Sequence, residues 1–483
     1  MLDLDELIDS GSINKDNLKT DSRDVGEGDI FVALRGTMYD GHDYAGEVLS
    51  KGARRIICEK ELKGLSRDDL EKVIKVKDTR KALSYAAKRI FEDPSSRLKV
   101  FGVTGTNGKT TTVFLIDNIL TLAGVQSGMI TTVFTRTSGN KAVRSSMTTP
   151  DALTLNRLLA DMVSGGEKAA VLEISSHALS QDRTSGIGLD SAVFTNITPE
   201  HLDYHGNMEN YLKDKVRIFG NLKENGVGVL NIDDPLLKGL IKDLDVPRLV
   251  TFGTAPEAEV RAENIVLRDD GSEFDLVIGL HGRTRVSSSL IGNHNIYNMM
   301  AAAAALSTNG FEADLIRAGL ENAPAVPGRT ELVTEKAPFK VFVDYAHTPN
   351  ALESVLLCLR GIAPKKLICV FGCGGDRDKT KRPVMGQIAS RVSDHVILTS
   401  DNPRSEDPED IVRQIEKGVL DKTKYCIILQ RKEAIRKAIE MAQEGDVVII
   451  AGKGHEDYQI IGDKVLHFDD KEVASQILKE SGY

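Results

Sequence analysis

A strand, a glycine-rich loop and a helix follow one another in residues 99–123, which read KVFGVTGTNGKTTTVFLIDNILTLA. The apolar run at 99–103 predicts a strand, and the apolar residues at helical spacing after Thr110 predict a helix. The glycines between them let backbone N–H groups turn towards phosphate oxygens at the positive end of that helix. We therefore predict an α/β fold with a nucleotide phosphate loop, in which Lys109 reaches the phosphates and Thr110 ligates Mg²⁺.

The loop departs at one position from the generic phosphate-loop pattern, which has a glycine five residues before Gly108. Val103 stands at that position, and Gly102 is one residue too early. A glycine turn beside a surface lysine is the alternative interpretation, but the order of strand, loop and helix favours nucleotide binding. Kinases, ATPases and ligases all use such loops, so the loop alone leaves the reaction open. Its predicted nucleotide-binding residues are Gly105, Thr106, Asn107, Gly108, Lys109, Thr110 and Thr111.

The length of 483 residues predicts about three domains. Turn-forming residues at 94–97, and two prolines and a glycine at 323–328, interrupt regular structure. These breaks divide the chain into segments 1–97, 98–326 and 327–483. Short apolar runs alternate with helical stretches in the second and third segments, which predicts mainly parallel sheets with ligands at the carboxyl ends of the strands.

The net charge of −9, with no basic stripe, argues against nucleic-acid binding. The acidic N-terminus lacks the features of a signal peptide, and no apolar run is long enough for a membrane span. The five cysteines are scattered and odd in number, which does not indicate a disulfide framework. We expect a monomeric cytoplasmic protein that acts on small molecules, without membrane insertion.

Two polar clusters follow later strand-like runs. Glu173 stands at the end of one run, where its carboxylate could hold Mg²⁺ opposite Thr110; a helix cap is the alternative. The second cluster, TNITPEHLDYHG at 195–206, has the composition of a strand-end site or of a solvated loop. Lys215, taken alone, is an ordinary surface lysine on a helix.

Seven motifs in a fixed order resemble the Mur ligase family. They are GTNGKT at 105–110, EISSHAL at 173–179, TNITPEHLDYHG at 195–206, YLKDK at 211–215, GNHNIYN at 292–298, PGRTE at 327–331 and DYAHTPN at 344–350. The resemblance covers essentially the whole chain. It implies a three-domain architecture: a UDP-sugar-binding domain at 1–97, a central P-loop ATPase domain at 98–326 and a C-terminal Rossmann-like, amino-acid-binding ligase domain at 327–483. It also implies an ATP-dependent carbon–nitrogen ligase of peptidoglycan synthesis.

The resemblance further implies the residues that perform the reaction. It identifies Lys215 as a lysine that CO₂ carbamylates, which turns an ammonium into a carboxylate-like ligand suited to Mg²⁺. One departure is Glu200, where many relatives have aspartate; the carboxylate is retained. The implied catalytic residues are Lys109, Glu173, His201 and Lys215. The implied metal ligands are Thr110, Glu173, His201 and Lys215, and the further ATP contacts are Asn295 and Asn298 at adenine, Asp344 near the ribose and Arg329 at the phosphates.

The N-terminal segment resembles family members that act on UDP-N-acetylmuramoyl-L-alanyl-D-glutamate. Single matches such as Ser22 are more often turn residues, and only the joint match favours a substrate site. Met147 stands where some relatives have asparagine, so we leave it out of the site. The implied uridine contacts are Ser22, Thr37, Met38 and Tyr39, and the implied sugar-peptide contacts are Thr148, Thr149, Ser175, Gln181 and Arg183.

The third segment carries DNPR at 401–404, which resembles the motif for adding meso-diaminopimelate. This substrate has a second amino-acid centre with its own carboxylate, and an arginine fork binds a carboxylate through two parallel hydrogen bonds. L-Lysine has no such carboxylate, so a lysine-adding homologue is the alternative. The implied diaminopimelate contacts are Arg377, Asp401, Asn402, Pro403, Arg404, Gly452 and Glu456, with Glu456 at the distal ammonium.

The implied reaction begins with transfer of the ATP γ-phosphate to the D-glutamate γ-carboxylate, and the amine then attacks this acyl phosphate. The base that takes the amine proton stays open between His205 and His347. Three other interpretations are a folylpolyglutamate synthetase-like ligase, a P-loop NTPase that drives a partner, and a catalytically silent binding protein. A folylpolyglutamate synthetase-like ligase would not explain the DNPR motif, and a P-loop NTPase would not explain the motifs of segment 327–483. A catalytically silent binding protein would not explain the intact Lys109, Glu173, His201 and Lys215.

Overall fold

Four parallel strands in the order β1-β2-β3-β4 form the N-terminal sheet of the computed structural model, which describes residues 4–36, 39–137, 142–145, 147–279, 282–334, 336–363 and 365–483. Helix α4 begins after Asp78, whose carboxylate accepts from the amides of Arg80 and Lys81 and so caps the helix. The helices and strands of this part are α1 (Leu4–Asp9), β1 (Leu18–Lys19), β2 (Ile30–Val32), α2 (Ala45–Ser50), β3 (Arg55–Cys58), α3 (Arg67–Leu70), β4 (Val73–Lys75) and α4 (Thr79–Ile90).

A second sheet has the order β15-β14-β13-β12-β11-β10-β5-β9-β6-β7-β8. Strand β5 lies in its centre and pairs in parallel with β10 and β9, so the loop that follows β5 opens at the carboxyl edge. Its strands are β5 (Lys99–Thr104), β6 (Ser127–Ile130), β7 (Phe134–Arg136), β8 (Ala142–Arg144), β9 (Ala169–Glu173), β10 (Leu189–Phe194), β11 (Leu222–Asn231), β12 (Arg248–Gly253), β13 (Val260–Leu267), β14 (Ser272–Ile278) and β15 (Arg283–Ser288).

The helices around this sheet contribute to two separate apolar cores. Residues 301–305 of α11 are five buried alanines, whose small side chains let α11 pack closely against α5. The helices are α5 (Lys109–Leu122), α6 (Ala152–Gly165), α7 (Ser176–Ser180), α8 (Leu202–His205), α9 (Met208–Val216), α10 (Pro235–Leu240), α11 (Asn293–Ser307) and α12 (Ala313–Glu321).

The C-terminal sheet has the order β16-β17-β21-β18-β19-β20 and is parallel apart from the β16–β17 pair. A separate hairpin, β22–β23, follows β21. The elements are β16 (Glu331–Leu332), β17 (Lys340–Asp344), α13 (Pro349–Ile362), β18 (Leu367–Phe371), α14 (Lys381–Val392), β19 (His395–Leu398), α15 (Pro408–Glu416), β20 (Tyr425–Ile427), α16 (Arg431–Met441), β21 (Val447–Ala451), β22 (Tyr458–Ile461), β23 (Lys464–His467) and α17 (Asp470–Glu480).

A fully buried ion pair fastens the C-terminal sheet at its carboxyl edge. The guanidinium of Arg431 donates to both carboxylate oxygens of Asp470 at 2.7 Å. The same guanidinium donates to the carbonyls of Ser400 at 3.3 Å and Ala451 at 3.0 Å, at the ends of β19 and β21. One side chain therefore holds together the loops that carry residues 401–404 and 452–456.

The predicted α/β class and the strand–loop–helix context at 99–123 are confirmed, and the predicted elements shift by only a few residues at their ends. The strand predicted at 99–103, for example, extends to Thr104. None of the described helices combines the length and the apolar character that a bilayer span requires.

We expect Asp470→Asn to lower the thermal unfolding midpoint strongly. It leaves the buried Arg431 charge uncompensated, and breaking such a pair from one side costs about 3–5 kcal/mol. Glu409→Gln is the matched control, because the Arg413–Glu409 pair is 63% and 55% exposed and water screens it. Equal midpoints for the two variants in differential scanning calorimetry would contradict the structural role of the buried pair.

Candidate active site

A cavity of about 810 Å³ opens at the carboxyl edge of the central sheet, between that sheet and the C-terminal segment. It brings together residues that lie more than 230 positions apart in the chain, from Thr106 to Asp344. The predicted site residues that line it are Thr106, Asn107, Gly108, Lys109, Thr110, Thr111, Thr148, Glu173, Ser175, His201, Lys215, Asn295, Asn298, Arg329 and Asp344.

The phosphate loop has glycines where the backbone requires them. Gly108 has φ +85°, and a Cβ there would lie 2.2 Å from Oδ1 of Asn298. Gly105 has φ +149°, and a Cβ there would lie 1.9 Å from Oγ1 of Thr195. The loop therefore packs tightly between β10 and α11, and its residues face the cavity. Nζ of Lys109 donates to the carbonyls of Gly105 and Thr106 at 2.9 Å each.

Thr110, Glu173 and Arg329 meet at the start of α5. Oγ1 of Thr110 donates to Oε2 of Glu173 at 2.9 Å, and Nη2 of Arg329 donates to Oγ1 of Thr110 at 3.1 Å. Nε of Arg329 is buried and has no hydrogen-bond partner among the described residues. Hydroxyl and carboxylate oxygens are the ligands that Mg²⁺ prefers. The described residues contain no group of three or more His, Cys, Asp or Glu arranged for a metal, so a cation here needs further oxygens from phosphate.

Lys215 is buried beneath the loop, with 1% of its surface exposed. Its Nζ donates to the carbonyl of Gly105 at 2.6 Å and lies 4.9 Å from the ring centre of Tyr211. Burial, together with the charge of Lys109, lowers the pKa of Lys215 well below its usual range. The interpretation of this residue, taken alone, as a surface lysine is therefore wrong, and its amine is held in a form that can act as a nucleophile.

His201 lies beside two further ionisable groups. It precedes α8 with φ +54°, and its Nε2 is 3.9 Å from Oε1 of Glu200. The same carboxylate oxygen is 3.9 Å from Nε2 of His347, which comes from the C-terminal segment. Burial lowers the pKa of His201, which keeps its imidazole neutral and able to bind a cation or accept a proton. Sequence reasoning did not predict that His347 would share Glu200 with it.

The far end of the cavity carries amide side chains. Nδ2 of Asn295 donates to the carbonyl of Ile291 at 2.9 Å, and Nδ2 of Asn298 donates to Oδ1 of Asn295 at 3.2 Å. The carboxylate of Asp344 accepts from the amides of Thr330 at 2.6 Å and Ala346 at 2.7 Å. These bonds fix Asp344 at the end of β17, where it faces the cavity.

A second polar cluster adjoins the cavity and contains the predicted sugar-peptide residues. Oγ1 of Thr149 donates to the carbonyl of Glu173 at 2.8 Å and accepts from the amide of Ser175 at 3.0 Å. Arg183 donates to the carbonyl of Thr149 at 2.9 Å and to Oε1 of Gln181 at 2.7 Å. Thr148 joins the same region, since its Oγ1 accepts from Thr132 at 3.0 Å.

Arg80 of the N-terminal part reaches this cluster, which sequence reasoning missed because no motif contains it. Its Nη1 lies 3.5 Å from Oε1 of Gln181, the atom that also accepts from Arg183. Burial and the charge of Arg80 lower the pKa of Arg183. Two guanidiniums that share one amide oxygen, without an ion-pair partner in the described part of the chain, form a site suited to an anion.

The predicted uridine residues are not part of this cluster. The carbonyl of Ser22 accepts from Lys51 at 2.9 Å, and the side chain of Tyr39 is exposed. Thr37 and Met38 lie outside the described residues.

The predicted amino-acid residues converge on the loops after β19 and β21. Nδ2 of Asn402 donates to Oε2 of Glu456 at 2.9 Å, and the backbone of Arg404 pairs with the β22–β23 hairpin through Ile460 at 3.0 Å. Gly452 has φ +116°, and a Cβ there would lie 2.8 Å from Oδ2 of Asp401. Pro403 belongs to the same packing, because its carbonyl lies 1.8 Å from the position of a Cβ on Gly375.

Two side chains of this region differ in their contacts. Nη1 of Arg404 donates to the carbonyl of Gly375 at 2.8 Å, which fixes one side of the guanidinium. Arg377 is exposed, and its only described hydrogen bond is to the carbonyl of Asp376, so the structure does not bring it into the cluster.

Lys453, which sequence reasoning left out although it stands inside the segment GKGHED, is fully buried beside Glu456. Its Nζ is 3.5 Å from Oε2 of Glu456 and 3.3 Å from Oδ1 of Asn402. Burial and the charge of Asp401 raise the pKa of Glu456. Around Lys453, Asp401 and Glu456 place two carboxylates against one ammonium, so this part of the cluster suits a further ammonium group.

Three family models match the chain in succession. They are the Mur ligase family catalytic domain at residues 16–90, the Mur ligase middle domain at 103–306 and the Mur ligase glutamate ligase domain at 328–454. The matched ranges follow the order of the three sheets.

Curated relatives match along nearly the whole chain. UDP-N-acetylmuramoyl-L-alanyl-D-glutamate–2,6-diaminopimelate ligase 1 of Clostridium acetobutylicum is 43% identical, over 98% of this chain and 97% of its own. The ligase of the same name from Geobacillus kaustophilus is 45% identical, over 96% of this chain and 95% of its own. A solved structure of a 2,6-diaminopimelate ligase of that name is 33% identical, with a TM-score of 0.67 over 97% of this chain and 95% of the solved one.

We expect Gly108→Ala to weaken binding of a non-hydrolysable ATP analogue by at least about tenfold. The added Cβ would press on Asn298 and strain a backbone at φ +85°. Gly46→Ala in α2 is the matched control, because a Cβ there meets nothing within 4 Å. Isothermal titration calorimetry measures both variants, and unchanged affinity in Gly108→Ala would exclude this loop as the nucleotide site.

Proposed function

The chain belongs to the Mur ligase family, and we propose that it is an ATP-dependent ligase of peptidoglycan synthesis. Its reaction joins meso-diaminopimelate to the D-glutamate γ-carboxylate of UDP-N-acetylmuramoyl-L-alanyl-D-glutamate. One observation carries this proposal: the phosphate loop, Thr148 and Ser175 line the same cavity, so that a nucleotide and an acceptor can lie side by side. The curated relatives that carry this name support the choice of substrates.

The chemistry requires activation of the acceptor, because a carboxylate is a poor electrophile. Transfer of the ATP γ-phosphate to it makes an acyl phosphate, in which phosphate is a good leaving group. Two anions must approach each other in this step, and Lys109 and Arg329 place positive charge where they meet. Lys109 exchanges its two loop carbonyls for phosphate oxygens, and the unpartnered Nε of Arg329 gains an acceptor.

A cation fits the oxygens of Thr110 and Glu173, which stand 2.9 Å apart in the cavity wall. Mg²⁺ bound there would neutralise phosphate charge and align the γ-phosphate for transfer. His201 would provide a neutral imidazole nearby. These residues would hold the cation, and the partly buried Arg329 would lie on the other side of the site.

Lys215 is the group that we propose to be carbamylated. Its buried amine, with a lowered pKa, attacks CO₂, a nitrogen–carbon bond forms, and one proton leaves to solvent. The product replaces a neutral amine with an anion, which the ammonium of Lys109 beside it attracts. The carbamate oxygens would then be additional hard ligands for Mg²⁺.

The C-terminal cluster would select the amino acid. Arg404 has one side of its guanidinium fixed on Gly375, and its other N–H groups can grip the distal carboxylate of diaminopimelate. Asp401 and Glu456 would hold the distal ammonium, with Lys453 limiting their mutual repulsion. L-Lysine would leave Arg404 without its anion. We propose that Arg377 reaches the substrate only when it binds, because the structure leaves its side chain exposed.

The uridine end and the cellular setting complete the proposal. Ser22, Thr37, Met38 and Tyr39 would contact the uridine, and the guanidiniums of Arg80 and Arg183 would receive an anionic group of the acceptor. We place the enzyme in the cytoplasm as a monomer, where both the nucleotide precursor and ATP are made.

The first test is phosphate release with ATP, Mg²⁺ and UDP-N-acetylmuramoyl-L-Ala-D-Glu, with meso-diaminopimelate or L-lysine as the amine. We expect release that requires both the acceptor and diaminopimelate, with little release from L-lysine. Arg404→Ala should raise the KM for diaminopimelate by about 10–100-fold, since it loses a charged hydrogen-bonded contact of about 1.5–3 kcal/mol. Its KM for ATP should not change.

Arg413→Ala is the matched control, because Arg413 is exposed on α15 and, within the part of the chain that the structure describes, pairs only with Glu409. Equal or better turnover with L-lysine would assign the chain to lysine addition. Turnover that ignores both the acceptor and the amine would make it a P-loop NTPase, and glutamate accepted onto a folate would make it a folylpolyglutamate synthetase-like ligase.

We expect activity to fall in buffer stripped of CO₂ and to return on addition of bicarbonate, because the carbamate of Lys215 forms reversibly. Lys215→Ala should lose activity, and a short carboxylate such as acetate should restore part of it by occupying the vacated space. Lys215→Arg is the control that keeps the charge but cannot form the carbamate. Full activity of Lys215→Arg, or indifference of the native enzyme to CO₂, would contradict the carbamate.

A further inference from the structure

A serine, a histidine and an aspartate form a buried chain of hydrogen bonds at one wall of the active-site cavity. Oγ of Ser176 lies 3.0 Å from Nε2 of His205, and Nδ1 of His205 lies 2.8 Å from Oδ2 of Asp214. The side chain of His205 is fully buried, and Ser176 is 2% exposed. Neither contact is required by the roles already given to the phosphate loop, Glu173 or Lys215.

The direction of the hydrogen bonds follows from the chemistry of the groups. A carboxylate only accepts, so Nδ1 of His205 donates to Asp214, and in the neutral imidazole Nε2 carries a free lone pair. The hydroxyl of Ser176 therefore donates its proton to Nε2. The lone pairs of the Ser176 oxygen stay available, and Ser176 lines the cavity that also contains Thr110, Glu173 and Lys215.

The hydroxyl of Ser176 is not needed to begin its helix. Ser175 caps α7, with Oγ accepting from the amide of Ala178 at 3.2 Å. Among the described residues, His205 is the hydrogen-bond partner of the Ser176 hydroxyl. Tyr204 and Tyr211 pack against the His205 ring, with centres 4.8 Å and 5.1 Å away, and hold it in one orientation. The ring of His205 is therefore held in one orientation, directed at the hydroxyl of Ser176, and this hydroxyl does not cap the helix.

We propose that Ser176 is a further catalytic residue of the ligase reaction, and that it takes the proton of the attacking amine and passes its own proton to His205. Asp214 is a positioning residue, which sets the tautomer and orientation of His205. The proposal rests on the proposed function, because it concerns the second half of that reaction. It also assigns the base to His205 acting through Ser176, and not to His347.

The step balances in bonds and protons. The amine nitrogen attacks the acyl carbon as the free base, and a carbon–nitrogen bond forms while the carbonyl opens to a tetrahedral centre. One N–H proton moves to Oγ of Ser176 as the hydroxyl proton moves to Nε2 of His205. The carbon–oxygen bond to phosphate then breaks, and the leaving phosphate takes the proton back through Ser176. The amide and hydrogen phosphate leave, and the chain returns to its starting state.

The test separates the two halves of the reaction in Ser176→Ala. Acyl phosphate formation is measured without diaminopimelate by trapping with hydroxylamine, and amide formation is measured with all substrates. We expect the hydroxamate yield to stay near that of the native enzyme and the kcat for the amide to fall by about 100-fold or more, the usual contribution of a positioned acid–base group. The KM values for ATP and for the acceptor should change little.

Two further variants keep the result interpretable. Ser176→Thr retains the hydroxyl and should recover part of kcat, whereas Asp214→Asn should lose amide formation selectively because an amide NH₂ favours the other tautomer of His205. Retained hydroxamate yield in Asp214→Asn also shows that the neighbouring Lys215 still functions. Ser185→Ala is the matched control, since among the described residues its Oγ bonds only to Asp182, at 2.8 Å, and Ser185 is not one of the residues that line the cavity.

The outcomes are distinct. A selective loss of amide formation in Ser176→Ala and Asp214→Asn, with recovery in Ser176→Thr, supports the proposal. An equal loss of both halves, or an unchanged kcat for the amide in Ser176→Ala, overturns it while the ligase assignment stands. A native enzyme that gives no hydroxamate with ATP and the acceptor overturns the proposed function, and the proton transfer with it.

Discussion

Two lysine side chains converge on one backbone carbonyl, and much of the site depends on this contact. The carbonyl of Gly105 accepts from Lys109 at 2.9 Å and from the buried Lys215 at 2.6 Å. Like charges this close in a dry environment raise each other's energy, so the site favours anything that removes a proton from one lysine or brings an anion between them. A phosphate oxygen and a carbamate both do this, which explains why the loop and Lys215 are built as one unit.

The polar and cationic side chains around this site come from different domains. Arg329 reaches Thr110 from the C-terminal segment, and Asn107 of the loop bonds to Asn350 across the same cleft at 3.1 Å. On the other side, Arg80 extends from the N-terminal part to the cluster of Gln181 and Arg183. Substrates that carry phosphate and carboxylate groups would bridge these cations, so binding and domain closure favour each other and water is excluded from the acyl phosphate.

Hydrogen-bonded side chains hold two parts of the protein in a fixed position, the loops after β19 and β21 and the ring of His205. Arg431 and Asp470 hold the ends of β19 and β21, and these strands carry the loops with Asn402 and Glu456. The Asp214–His205–Ser176 chain has the same character in the central domain, where aromatic rings fix the histidine. The buried charges of Arg431 and Asp470 are tolerated because they are hydrogen-bonded to each other, whereas the side chain of Asp214 is 24% exposed. In both places the hydrogen bonds fix the orientation of the side chains.

The sequence by itself determined the α/β class, the phosphate loop and most of the cavity wall, because local patterns encode strands, helices and glycine turns, and the family motifs sit at strand ends. It could not determine burial or long-range pairing. Lys215, taken alone, is an ordinary helix lysine, and its burial follows only from the packing of α9 beneath the loop. No local pattern marks Arg80, Lys453 or the Ser176–His205 contact. Those groups acquire partners from residues distant in the chain, so only the tertiary structure decided what they do.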